Sequence, residues 1–399
     1  MTPRQFLKQY RYDDRLVKGG FYPSKPLPVD SGDRVGVVLF NLGGPRNPAE
    51  VEPFLYNLFM DPVIIDIPVP KALRHGICKF VARRRAKTVR EEYGLIGGSS
   101  PINPLTERQA TLLEQSLNSL NGGVSGIEFK VYTAMRYGSP TSEDIIADME
   151  RDGISKVVLL PLYPHYSKTT TGASLSYWHA LERSGELRSR PTVSVFEYAA
   201  HPAYVRAISE RIDEGLRRFG ADTAPVHLLF SAHGTPLNEL MDRRDPYCCL
   251  IHSTVDRVLK LRSADQSYSV SFQSKVGPAE WLTPSTPDEL ERLAAIETRY
   301  VLVVPIAFVS DHVETEFELD IEVRHLAEEA GIEHFEVMPG LNDHPLFIEA
   351  LTDVTLRHLS VAGDLKPDVR DRLFKRKDRR TACHQCINVT EAACWGRSS

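Results

Sequence analysis

The sequence predicts an α/β protein of two Rossmann-like domains, each with a four-stranded parallel sheet flanked by helices. Three observations carry this prediction. Apolar, β-branched runs alternate with longer helix-patterned segments from about residue 34 to residue 345. That alternation is the mark of βαβ units, whose crossovers put helices on both sheet faces. The runs fall into two sets of four whose closing turns match in kind, and 399 residues exceed the usual size of one hydrophobic core.

Residues 1–31 are polar and punctuated by Pro and Gly, which predicts a loosely packed extension. Domain 1 is expected over 32–197, with strands at Val35–Asn41, Phe129–Ala134, Val157–Leu162 and Thr192–Phe196. Domain 2 follows over 198–344, with strands at Val226–Ser231, Tyr268–Phe272, Tyr300–Ile306 and Phe335–Met338. The turn Asn41–Pro45 answers Ala232–Pro236, Arg136–Pro140 answers Ser274–Pro278, and Pro161–Tyr166 answers Pro305–Ser310. From Pro345 to His358 the spacing predicts an amphipathic helix, with 345–362 packing back on domain 1. Residues 363–399 read as a charged linker and a cysteine-rich tail.

Composition narrows the function classes. A net charge of −5 and a pI near 6.2 give no general reason for nucleic-acid binding. No window approaches the ~18 uninterrupted apolar residues of a membrane span. The first residues lack the apolar core of a secretory signal, so a cytoplasmic protein is expected. Gly43-Gly44 has no G-x-G-x-x-G around it, which argues against a dinucleotide cofactor. Of six cysteines, Cys383, Cys386 and Cys394 crowd the tail, a pattern closer to a metal or iron–sulfur site than to a disulfide framework.

His233 stands just past an apolar run and before Gly234-Thr235-Pro236. Strand carboxyl ends are where open α/β sheets bind ligands, and an imidazole there can move protons or hold a metal. After the strand at Tyr300–Ile306, Ser310 or Asp311 can cap a helix. Asp311, Glu314, Glu318 and Glu322 then follow at i, i+3, i+7 and i+11, one helical face. Four carboxylates on one ridge repel, raise a pKa or hold a cation. Paired domains leave a cleft between their strand ends, and the apolar set Phe54–Ile67 with Tyr93, Tyr137, Tyr163 and Trp281 would wall it. A His/Glu centre with apolar walls suits a large, flat ligand that must lose protons.

These segments together resemble the ferrochelatases, which insert Fe²⁺ into a porphyrin. The resemblance runs from about Val35 to Leu356 and rests on Leu39–Pro45, Tyr93–Pro101, Tyr163–Ser167, Phe230–His233, Phe272–Pro278 and Pro305–Thr315. It implies a porphyrin cleft between the two domains, and iron binding and pyrrole deprotonation by His233 and Glu314, with Asp311 and His312 beside them. Porphyrin contacts are implied at Leu42, Tyr93, Arg136, Tyr137, Tyr163, Trp281 and Phe308, and a proton or metal path at Glu318 and Glu322. It also implies an unusually wound helix along the acidic ridge. Leu42 stands where coproporphyrin-using members carry Tyr, which points to protoporphyrin IX. The tail is similar to members holding a [2Fe–2S] cluster. Cys383, Cys386 and Cys394 supply three ligands, but Lys168 occupies the place of the distant Cys in animal members. Cys248 or Cys249 is the substitute, or there is no cluster. Residues 54–90 combine apolar and basic side chains suited to peripheral contact with an anionic membrane. The rival readings are a chelatase for coproporphyrin III or for another metal and tetrapyrrole, and a non-catalytic two-lobed tetrapyrrole-binding protein.

Overall fold

The structure, a computed structural model, describes residues 1–11, 25–65, 69–119, 126–220, 225–241, 245–263, 266–275, 277 and 279–361. Ile67, the charged linker and the three tail cysteines lie outside the described residues. The chain divides into two compact units. Unit 1 holds Met1–Glu197 and, among the described residues, those from Ile348 onward; unit 2 holds Tyr198–Phe347.

A short strand β1 (Leu27–Val29) opens unit 1, followed by β2 (Arg34–Asn41), β3 (Glu128–Met135), β4 (Lys156–Pro161) and β5 (Thr192–Ser194). Unit 2 contains β6 (His227–His233), β7 (Tyr268–Gln273), β8 (Tyr300–Pro305) and β9 (His334–Val337). A last strand, β10 (Leu359–Val361), pairs parallel with β1. The larger sheets are parallel throughout, in the orders β3-β2-β4-β5 and β7-β6-β8-β9. Strands buried on both faces need unbroken apolar runs, and β2 and β6 supply them, each buried over six or more consecutive residues.

The two sheets share one topology. In each, the first and third strands are neighbours and the chain turns opposite ways from them, which makes their carboxyl ends a switch point where ligands bind. In unit 1 these are the ends of β2 and β4, carrying Leu42 and Tyr163. In unit 2 they are the ends of β6 and β8, carrying His233 and the segment leading to Glu314. β6 runs two residues beyond its expected end, so His233 is its last residue, in register with Gln273.

The N-terminus departs from expectation. Residues 3–9 form a helix capped reciprocally by Thr2 and Gln5, with Pro3 in its first turn. Its Phe6 ring packs edge-on to Tyr177 at 5.0 Å, and Leu7 lies against Met60 and Cys78. Two well-placed apolar side chains anchor a segment whose average composition is polar. Arg74 also departs from the membrane-contact reading of the basic side chains in 54–90. It is buried, with Nη2 donating to the carbonyls of Phe59, Asp61 and Ile65.

Candidate active site

In unit 2, Gly234 follows His233 because nothing larger fits. A Cβ there would sit 2.9 Å from both the Gln273 carbonyl oxygen and Trp281 Cε3. The loop is zipped to the Trp281 segment by Leu237 N–H donating to the Glu280 carbonyl and Leu282 N–H to the Thr235 carbonyl. This holds the indole 6.3 Å from the His233 ring. His233 Nδ1 lies 2.6 Å from the Gly234 carbonyl oxygen. A carbonyl only accepts, so Nδ1 carries the proton, and in the neutral ring the lone pair is on Nε2.

Beyond β8 the chain reaches a π-helix, Glu314–Val323, the unusual winding the resemblance implied. Neither Ser310 nor Asp311 caps it. Asp311 turns instead to another loop, accepting Gly340 N–H at 2.9 Å and Asn342 Nδ2 at 2.7 Å, while its own N–H donates to Asn342 Oδ1 at 3.0 Å. Asp311 therefore anchors the loop that presents His312 and Glu314. The first turn is closed by Thr315, whose Oγ1 accepts His312 N–H at 3.0 Å.

His312 is buried under Phe308, with ring centroids 4.5 Å apart. Its Nδ1 donates to the Ser310 carbonyl at 3.1 Å, and its Nε2 faces Glu314 Oε2 at 3.8 Å. Burial alone would lower the imidazole pKa, but the Glu314 carboxylate outweighs it and raises it. Burial would likewise raise Glu314, yet His233 and His312 hold it below the usual carboxylate range. Its Oε2 is buried without a hydrogen bond. Glu318 behaves oppositely. Burial, reinforced by the negative charge of Glu314, pushes it up to about 7. Ser274 Oγ lies 2.9 and 2.7 Å from its two oxygens. Glu322 is exposed to solvent whereas Asp311, Glu314 and Glu318 are only partly so, and the four acids do not form one uniform face.

In unit 1 the loop after β2 is rigid. Asn103, itself buried, donates to the Gly44 carbonyl and accepts Gly44 N–H at 2.8 and 3.2 Å. Arg136 N–H and Tyr137 N–H donate to the carbonyls of Asn41 and Leu42. Leu42 and Tyr163 are partly exposed at these strand ends. Tyr93 and Tyr137 are buried, and Arg136 is held inside the unit by Asp61 at 2.5 Å.

Sequence reading passed over Asp61, Ser274 and Asn342. Asp61 carried one usable signal: an Asp-Pro step closing the apolar run 54–60. The other two carried none. Among the described residues, no group of three or more His, Cys, Asp or Glu side chains forms a metal-holding cluster. Cys78 and Cys248 are buried and Cys249 partly so, and Lys168 is buried.

Comparison with known proteins places this arrangement. The family model described as ferrochelatase matches residues 34–359. The chain is 41% identical over 327 residues to a ferrochelatase of Trichodesmium erythraeum, covering 82% of this chain and 83% of that one. It is 43% identical over 324 residues to a ferrochelatase of Geotalea daltonii, covering 81% and 97%. Among solved structures, SirB from Bacillus subtilis with Fe³⁺ aligns over 82% of this chain and 96% of its own, at TM-score 0.45 and 10% identity, a likeness too distant to bear on the chemistry. The match across nearly the whole two-sheet body shows that the chain belongs to the ferrochelatase family.

Proposed function

We propose that the chain inserts Fe²⁺ into protoporphyrin IX, forming protohaem and releasing two protons. The observation that carries the mechanism is the commitment of His233 Nδ1 to the Gly234 carbonyl, which fixes Nε2 as the basic nitrogen. A free porphyrin blocks the metal with two N–H protons, so an acceptor must take them as iron enters. His233 Nε2 is that acceptor, and the ionised Glu314 stabilises the imidazolium that results. Glu318, titrating at about 7, is balanced to take the proton on, and the exposed Glu322 passes it to water. His233 and the paired His312 together hold Glu314 anionic.

Iron is a substrate here and must leave for the ring. A His/Glu pair binds it more weakly than a full ligand set, and Glu314 Oε2, ion-paired with His312 but without a hydrogen bond, is an oxygen donor for it. Protoporphyrin IX rather than coproporphyrin III is read from Leu42, a non-ligating side chain on a clamped loop. Tyr163, Trp281 and Phe308 are partly exposed and offer aromatic surface to the macrocycle.

Two further features belong to this reading. The helix Lys71–Leu95 exposes Leu73, Ile77 and Phe80 at i, i+4 and i+7, beside exposed Lys79, Arg83, Arg84, Arg85 and Lys87. That surface suits peripheral contact with the anionic inner face of a membrane, although no helix among the described residues is long and apolar enough to cross one. Liposome co-sedimentation that is insensitive to salt would count against it. For the tail cysteines Cys383, Cys386 and Cys394 the alternatives are a [2Fe–2S] cluster whose fourth ligand is Cys248 or Cys249, or no cluster, since a buried lysine ammonium at 168 cannot ligate iron. No step of insertion passes through the cluster, and a colourless, iron-free anaerobic preparation refutes it. The decisive experiment for the function is anaerobic incubation with protoporphyrin IX and Fe²⁺, watched for the haem spectrum. Absence of haem with folded protein would overturn the reading.

A further inference from the structure

Asp61 follows the helix Val51–Met60, and its side chain is fully buried. Oδ1 accepts Val63 N–H at 2.8 Å, folding the chain back on itself in an Asx turn. Oδ2 accepts Arg136 Nη2 at 2.5 Å and the Tyr137 hydroxyl at 2.8 Å. The Asp61 carbonyl accepts Arg74 Nη2 at 3.0 Å. One residue thus ties the 59–65 segment to the end of β3 and to the helix Lys71–Leu95. Arg136 is nearly as enclosed, retaining slight exposure where its partner has none. Its guanidinium lies 3.9 Å from the Tyr177 ring centroid and 5.0 Å from that of Phe6, and its side chain is 10% exposed. Such a cation, already neutralised at contact distance, has little field left for a carboxylate outside. What the segment does offer outward is apolar: Leu58, Phe59, Ile64 and Ile65 are all partly exposed.

We infer that Asp61 is a positioning residue for porphyrin binding: it neutralises Arg136 within unit 1 and fixes the 59–65 segment as an apolar wall for the macrocycle. The inference rests on the ferrochelatase reading, and it makes Arg136 a support for the wall rather than a ligand for a propionate.

The test is Asp61→Asn in the full chain, with KM measured separately for porphyrin and Fe²⁺. A displaced wall is expected to raise porphyrin KM about tenfold while kcat and the Fe²⁺ KM stay within about twofold. A merely structural lesion lowers the active fraction, so kcat falls and KM stays. Removing one partner of a buried pair can prevent folding. Asp61→Asn with Arg136→Met removes both charges together, and is expected to keep the native circular dichroism spectrum with porphyrin KM still raised. An unchanged porphyrin KM in either folded variant overturns the proposal. Porphyrin Kd from fluorescence quenching is expected to weaken equally for the diacid and its dimethyl ester. Weakening confined to the diacid would mean that Arg136 meets a carboxylate, and also overturns it. If the wild type binds porphyrin yet makes no haem, the ferrochelatase reading falls, while the Kd comparison still decides the role of Asp61.

Discussion

Removing the Ser274 hydroxyl tests the proton path at its most sensitive point. Glu318 titrates at about 7 because burial and Glu314 push it up while Ser274 restrains it. The hydroxyl donates to the carboxylate, so it favours the ionised form; without it the pKa of Glu318 rises. A hydrogen bond to a charged group contributes about 1.5–3 kcal/mol, which at 1.36 kcal/mol per pH unit is about one to two units. Glu318 is only partly buried and water replaces some of the lost donation, leaving about one-half to one pH unit. An ionised Glu318 is the proton acceptor, so the acid limb of kcat should move to higher pH by that amount. Ser274 also sits at φ +64°, which strains a residue with a Cβ. Ser274→Ala keeps the strain and Ser274→Gly relieves it, with the glycine variant more stable by up to about 1 kcal/mol. Both lose the hydroxyl, so both limbs should shift alike while the melting temperatures differ. A limb that stays in place in both variants, or moves down, refutes the role of Glu318 as acceptor.

Three other outcomes follow from the same geometry. His233→Ala should lower insertion by about 10² or more with the melting temperature little changed, because its ring is a partly exposed strand-end side chain; near-normal turnover would remove His233 as the base. Gly234→Ala puts a Cβ 2.9 Å from a backbone oxygen and from Trp281, so it should cost about 1–3 kcal/mol in denaturant unfolding and displace the indole, read as a change in tryptophan fluorescence. His227 is lowered to about 4 by burial, chiefly, so the folded state keeps it neutral. Its contribution to stability is present above pH 6.5 and is lost as pH falls through about 4; replacing it with Gln should therefore shrink the acid-side loss between pH 7 and pH 4.5 by about 2 kcal/mol in urea titrations.

The strands were legible because a parallel sheet buried on both faces leaves an unbroken apolar run that few other structures require. All eight expected strands of the two larger sheets are present, with ends shifted by no more than two residues. His233 and Glu314 were legible because they stand where such runs stop. Arg74 was misread because composition averages over a helix, whereas three carbonyls at the end of Val51–Met60 select one guanidinium out of a basic run. The helix at residues 3–9 was hidden for the same reason, since Phe6 and Leu7 are too few to make a period. Asp61, Ser274 and Asn342 act through partners distant in sequence, and no local pattern records a partner. The acidic ridge was half legible: its spacing marked one face, but α-helical spacing does not describe a π-helix, and Glu322 is exposed while Glu314 is only partly so.

One topology serves two different electrostatic designs. Each unit places its first and third strands side by side and presents their carboxyl ends as a binding edge. In unit 1 Arg136 and Asp61 are in contact and compensate each other, and Leu42, Tyr163 and apolar side chains of the 59–65 segment are partly exposed. In unit 2 the charges are kept unequal. Glu314 is held anionic, Glu318 titrates at about 7, and Glu314 Oε2 has no hydrogen-bond donor. An enzyme that must deprotonate a macrocycle and then release a metal to it needs a single place where protons and cations compete. The same strand order therefore carries a mutually compensated pair in unit 1 and carboxylates of unequal protonation in unit 2.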